Sequence, residues 1–239
     1  MSKIQTLTNV PLIRKIKKGK RGQIFLVCTI IIIIYMLSFI NVVYELNESQ
    51  YTRPLQIAEF ENTYQNFKTE TRALIHTVLV NYTQPGTVIT GNFSASQIVD
   101  QWLIYAEDRM LEKGYNAQFE IIPLLPPTLP VRVAKGNGYA SILCNISIYM
   151  TCNYLTIDTE LHIYHNYEID YQNSTTFSSI ILEYENIYNK GYEGYANVTI
   201  NGIPAENLYN GTYLHSSPLG SGDIIQAITN ENVIITRIV

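Results

Sequence analysis

The 239-residue chain carries 16 basic and 20 acidic side chains, a formal net charge of −4, and 46% hydrophobic residues, which leaves room for one or two small domains with real cores. The charge is unevenly spread: residues 1–23 hold seven basic groups (Lys3, Arg14, Lys15, Lys17, Lys18, Lys20, Arg21) and no acid, leaving nine basic and twenty acidic groups for the rest. An acidic majority argues against binding to nucleic acid or other polyanions, and the basic cluster KKGKR reads as a topology signal rather than a nucleic-acid patch.

The stretch Ile24–Val43, IFLVCTIIIIIYMLSFINVV, contains no charged residue. As a helix it would be roughly 30 Å long, the thickness of a bilayer's hydrocarbon core, so it predicts a transmembrane span with the lipid bilayer as its partner. Its few polar groups include Thr29 and Ser38, whose hydroxyls can return to a carbonyl one turn back, and Asn41 near the far end. Basic residues flank its amino-terminal side, while Arg53 is the one basic residue close beyond it. That asymmetry holds residues 1–23 in the cytoplasm and exports residues 44–239, giving a single-pass protein of the cell membrane. Ser38 to Tyr44 offers no small-x-small cleavage site, so ordinary signal-peptidase removal is not expected.

Within Lys17–Phe25, KKGKRGQIF, a basic cluster precedes Gly22-Gln23 and an uninterrupted apolar helix. This resembles the class III signal peptide of archaeal type IV pilin-like proteins. The resemblance implies an archaeal envelope, cleavage between Gly22 and Gln23, and a helix able to pack into a filament core with other pilus-like proteins. The family places an acid at the fifth mature position, where this chain has Val27. That departure, with a helix break expected at Pro54, favours a signal anchor over a filament subunit.

Seven Asn-x-Ser/Thr sequons, at Asn47, Asn81, Asn92, Asn145, Asn173, Asn197 and Asn210, all fall beyond the span. They are candidate glycosylation sites of an external surface, although an Asn-rich chain generates sequons by composition alone. Asn47 lies close to the membrane for a transferase.

From Leu55 the apolar residues Ile57, Phe60, Tyr64, Phe67, Leu74, Ile75 and Val78 recur at helical spacing, predicting an amphipathic helix that ends near Asn81. Ser94-x-x-Gln97 reads as a capping box opening a second helix, with Ile98, Trp102, Tyr105, Ala106 and Met110 on one face and Lys113-Gly114 as its close. The two helices are expected to form an antiparallel hairpin over residues 44–118. Residues 119–138, with four prolines between Pro123 and Pro130, are expected to be an extended connection. Residues 139–239 alternate with a period of two and carry turn signals at Asn201-Gly202 and Gly220-x-Gly222. They predict an antiparallel β-sandwich, so the fold class expected for the whole chain is α+β. The segment from about Ser178, with Ala196–Gly202 (ANVTING) and Tyr209–Tyr213 (YNGTY), resembles Ig-like or carboxypeptidase-regulatory-like modules of archaeal surface proteins. That resemblance implies a structural module rather than an activity.

Cys144 and Cys152 alternate onto one face of a predicted strand, where eight residues span roughly 27 Å. A disulfide needs Cα atoms within about 7 Å, so these two can pair only if a turn folds the segment back. No Cys-x-x-Cys or nearby histidine completes a metal set, and His162 and His165 face opposite sides of a strand. No Gly-x-Ser-x-Gly, Ser-x-x-Lys or nucleotide-binding loop occurs, so no catalytic residue and no cofactor are predicted. Two hypotheses follow. The favoured one is a noncatalytic, membrane-anchored surface protein with a structural or interaction role, the pilin-like subunit being its variant. The competing one is an ectodomain enzyme acting on cell-surface polymers, which would need carboxylates or histidines converging in a concave site. The nineteen tyrosines suit a binding face, yet they also fill sheet surfaces with no ligand.

Overall fold

The computed structural model describes the backbone of residues 10–124, 130–153 and 155–239, and the side chains of those residues outside 10–27 and 47–53. The chain divides into two compact units, Met1–Glu59 and Phe60–Val239.

The first unit contains the amino-terminal part of helix α1, Val10–Thr83. Its stretch Cys28–Leu46 is long and apolar enough to cross a membrane, and none of it is buried. Helix α1 continues through Pro54, contrary to the break expected there. Proline removes one backbone donor, but here helix extends for many turns on either side, so the cooperative ladder carries across the missing bond.

In the second unit, the carboxy-terminal part of α1 buries Phe60, Thr63, Phe67, Thr71, Ile75, Val78 and Leu79 on one face. The stripe begins later than the sequence pattern predicts, for Leu55 and Ile57 are exposed. Helix α2 spans Asn92–Glu112 and starts two residues before Ser94. Ser94 is therefore not the N-cap but the third helical residue, and its hydroxyl accepts the N–H groups of Thr90 (3.0 Å) and Gly91 (3.3 Å). The buried face of α2 is accordingly Ala95, Val99, Leu103, Ala106 and Met110, with Trp102 half-buried beside it and Tyr105 exposed. At its end the Gly114 N–H donates to Leu111 and the Tyr115 N–H to Met110. These are the two bonds of a Schellman close, and Gly114 (φ +81°) supplies the left-handed residue.

Among the described residues twelve strands follow, eight of them in one sheet: β1 Asn116–Ile122, β2 Val131–Gly136, β3 Tyr139–Cys152, β4 Leu155–Asn173, β5 Ser178–Asn186, β6 Lys190–Tyr192, β9 Glu206–Asn207 and β10 Thr212–His215. The order is β1-β3-β4-β5-β10-β9, with β2 also on β3 and β6 also on β5, and every recorded pairing is antiparallel. A second sheet has the order β12-β11-β7-β8, formed from β7 Asn197–Ile200, β8 Ile203–Pro204, β11 Ile224–Ile228 and β12 Ile234–Ile238.

The region 119–138, expected as a connection, instead holds the end of β1 and all of β2. The five residues 125–129 lie outside the described residues. The prolines fall between the strands, so β1 and β2 lie in succession along one side of β3: Asn116–Ile122 against 145–151, then Val131–Gly136 against 139–144.

Helix α2 covers this side of the sheet. Glu107 accepts the Phe119 N–H at 2.6 Å and Asn92 accepts the Val133 N–H at 2.7 Å. Two outward-facing donors of a sheet edge are thereby satisfied, which blocks strand addition there.

Alternate residues of β3 (Ala140, Ile142, Cys144, Ile146, Ile148, Met150) are fully buried and join residues of both helices and both sheets in one core. Phe67 of α1 stacks on Phe119 at 4.0 Å between centroids, and Phe60 meets Tyr115 edge-on at 5.3 Å. The architecture is thus α+β, with two antiparallel sheets meeting where β12 approaches β2, β3 and β4.

Candidate functional site

The most concentrated polar chemistry inside the second unit lies where α1, β4, β5 and the β11–β12 turn converge. His76 presents Nε2 to the Glu231 carboxylate at 2.8 Å. The Tyr167 hydroxyl donates to the same carboxylate at 2.6 Å and lies 3.3 Å from His76 Nε2. With Nε2 facing a carboxylate, the imidazole proton belongs on Nε2.

Behind this set, the Asn186 amide donates to the Tyr184 hydroxyl at 2.8 Å, and that hydroxyl and His165 Nδ1 share a hydrogen bond of 3.0 Å. The rings interlock, with His76 edge-on to His165 at 5.4 Å and Tyr167 against Tyr184 at 4.8 Å.

Burial sets the protonation of the cluster. It pushes His165 down to about 4, assisted by the neighbouring His76. Burial also lowers His76, against the pull of Glu231. Both imidazoles are neutral at neutral pH. Burial and then Glu231 raise Tyr167, and burial raises Tyr184, so both phenols stay protonated. Glu231 is exposed at its far side and so keeps contact with water while gathering two donors.

Sequence spacing did not point to this group. His76, His165 and Glu231 are distant in the chain and match no motif. One signal was available: His165 takes the single non-apolar place in the inward-facing series Leu161, Ile163, His165, Tyr167, Ile169. By contrast, His162 faces outward, exposed, with its Nε2 3.5 Å from Glu160.

Two concavities adjoin these elements. One, about 70 Å³, is lined by Arg72, His165, Asn186 and Tyr188 among others and has room for a water or two. The other, about 370 Å³, is an open groove between α1 and α2. Its floor is Phe67, Trp102 and Met110, and its rim carries Glu70 and the ion pair of Arg109 with Glu112 at 2.7 Å. The Trp102 indole donates to Thr71 at 3.1 Å, joining the two helices. Among the described residues, no group of three His, Cys, Asp or Glu side chains is placed to hold a metal, and no buried side-chain polar atom lacks a partner.

The sequence-predicted sites are scattered. Cys144 and Cys152 lie on the single continuous strand β3 and are free thiols, so the fold-back that a disulfide requires is absent. Burial, with a smaller effect from Asp100, pushes the Cys144 thiol up to about 12, which makes it inert.

Gly22 and Gln23 fall within α1, where only the backbone is described. The Asn47 side chain is likewise outside the described residues. Asn81 lies in the last turn of α1, Asn92 begins α2, Asn145 is in the middle of β3, Asn173 ends β4, Asn197 begins β7 and Asn210 sits in the β9–β10 turn. Nothing gathers them into one site.

Comparison with known protein families, curated proteins and solved structures finds no match for this chain.

Proposed function

We propose that this chain is a noncatalytic, single-pass membrane protein of an archaeal envelope, whose β domain is displayed outside the cell as a structural or interaction module. The observation that carries this reading is the fully exposed apolar stretch Cys28–Leu46. A core helix of that composition would be buried by its own protein, whereas this exposed one suits a bilayer. The basic flank before it orients the domain outward.

The polar cluster supports the noncatalytic part. His76, Tyr167 and Glu231 hydrogen-bond one another, and the cavity lined by His165 is about 70 Å³, below the roughly 300 Å³ at which small-molecule sites begin. The short antiparallel strands of the second sheet support an Ig-like sandwich module. Protease added to intact cells is expected to remove residues beyond the span. Protection in intact cells with degradation in lysed ones would reverse the orientation.

The pilin-like variant gains from one observation: α1 runs unbroken through both Gly22-Gln23 and Pro54, as a long packing helix requires. The amino-terminal peptide from native membranes separates the two. A peptide starting at Gln23 favours filament membership, and one starting at or near Met1 leaves a permanent anchor.

A further inference from the structure

Six of the sequons have described side chains, and their carboxamides sit in different local chemistries. Asn173 is clamped: its Nδ2 donates to the Leu219 carbonyl at 3.0 Å, while its Oδ1 accepts from Ser178 Oγ at 2.6 Å and from the Leu219 N–H at 3.1 Å. Asn92 holds the Val133 N–H of the sheet edge. Asn145 is half-buried between its strand partners Ile122 and His162. Asn81 is exposed, but its sequon hydroxyl on Thr83 is buried, donating to the Val80 carbonyl and accepting the Ile234 N–H at 3.1 Å. Asn197 is exposed but committed to the β7 ladder opposite Ile228.

Asn210 differs from all of these. Its Oδ1 accepts the N–H of Thr212, its own sequon threonine, at 3.0 Å. This is an Asx-turn. It leaves Nδ2 facing solvent, with no partner recorded for it among the described residues. An N–H at Oδ1 also stabilises the negative charge that collects there as Nδ2 gives up a proton.

The turn is rigid. Asn207 accepts the Tyr209 N–H at 2.7 Å and donates to the Gly194 carbonyl at 3.0 Å. Gly211 has φ +81°, and a Cβ on it would lie 2.3 Å from the Tyr192 Cβ, so no other residue fits. Around Asn210 stand Tyr192, Tyr195 and Tyr209, exposed by 64%, 72% and 72%, with the last two rings 6.4 Å apart.

We propose that Asn210 is the preferred acceptor of an N-linked oligosaccharide, and that the attached sugar rests on the rings of Tyr195 and Tyr209. The donor class is an oligosaccharide joined through its anomeric carbon to a polyisoprenyl phosphate. Nδ2 bonds to that carbon, the bond from carbon to phosphate oxygen breaks, the lipid phosphate leaves with the electron pair, and the proton lost from Nδ2 passes to solvent. An aromatic face exposed to water suits the apolar face of a sugar ring.

The inference rests on the external placement of the domain, so its test carries both readouts. Full-length protein from native membranes is digested and its glycopeptides are mapped by mass spectrometry, alongside protease treatment of intact cells. Sugar on the peptide containing Asn210 is expected, lost in N210Q and T212A, kept in T212S and unchanged in N173Q. Iodination of Tyr195 and Tyr209 is expected to rise in N210Q as the rings are uncovered.

A bare Asn210 on a protease-accessible domain, whether or not other sequons carry sugar, overturns the proposal and leaves the placement standing. A bare Asn210 on a protected domain overturns both. Glycosylated Asn210 with unchanged iodination in N210Q overturns the stacking of the sugar on the rings.

Discussion

Helix α1 contains two stretches with the same backbone and opposite surroundings. From Cys28 to Leu46 apolar side chains point in all directions and none is buried; from Phe60 to Leu79 they form one stripe that is almost wholly buried. Helical hydrogen bonding satisfies the backbone equally in both. The difference lies in where the apolar surface can go. An all-round apolar surface cannot be covered by a single neighbouring domain and has the length and composition of a membrane span, whereas a stripe can be covered by a sheet on one side while Glu61 and Glu70 remain in water.

The comparison breaks most severely if charge is placed in the first stretch. Ile33→Lys with Ile34→Asp is expected to cost about 3 kcal/mol for each charge at mid-bilayer and to move the protein out of the alkali-washed membrane fraction. Retention of the double variant in that fraction would remove the reading of Cys28–Leu46 as a span.

In the second stretch the matching change is Phe67→Ala. It empties a core site stacked on Phe119 and should destabilise the domain by about 3–5 kcal/mol, read from the denaturant midpoint in detergent. Leu55→Ala, at an exposed position, should stay within about 0.5 kcal/mol. Equal effects of the two would show that the stripe is not what docks the helix.

Acidification sharpens the contrast, because the histidines lie only in the second unit. His165 is held at about 4 in the folded state, below its ordinary unfolded value near 6.5. Between those values the unfolded chain binds more protons, so stability is full above about pH 6.5 and falls as the pH drops toward 4. The loss is on the order of 3 kcal/mol at most, and the lowered His76 acts in the same direction. Denaturant midpoints from pH 7 to pH 4 should decline, and His165→Gln should flatten the decline. A flat profile in the unsubstituted protein would mean that the imidazole is not desolvated.

A smaller effect than that of acidification is expected for Glu231→Gln. It leaves Tyr167 and His76 with a weaker acceptor and should cost roughly 1–2 kcal/mol, while lowering the His76 pKa further because the carboxylate that raises it is gone. An unchanged His76 titration by NMR would show that the turn does not hold Glu231 against α1.

Much of the fold was readable because it depends on local periodicity. The alternation of Cys144–Cys152 and the stripe Phe60–Val78 each state which face is apolar, and burial followed. Strands β1 and β2 were hidden, for the prolines between Pro123 and Pro130 dominate that stretch, and prolines are as compatible with a gap between two strands as with a single extended linker. The start of α2 was displaced by two residues because Ser94 can cap from the third helical position as well as from the N-cap.

The amino-acid sequence by itself determined the apolar stretch, its charged flank and the alternation of residues 144–152, since each depends on residues within a few positions of one another. Only the tertiary structure decided that His76, His165, Tyr167 and Glu231 meet, that α2 caps the edge of β1 and β2, and that Asn210 alone among the described sequons combines an Asx-turn with exposed tyrosines. Those outcomes depend on the register of strands far apart in the chain, and register is set by the packing of the whole core rather than by any local run of residues.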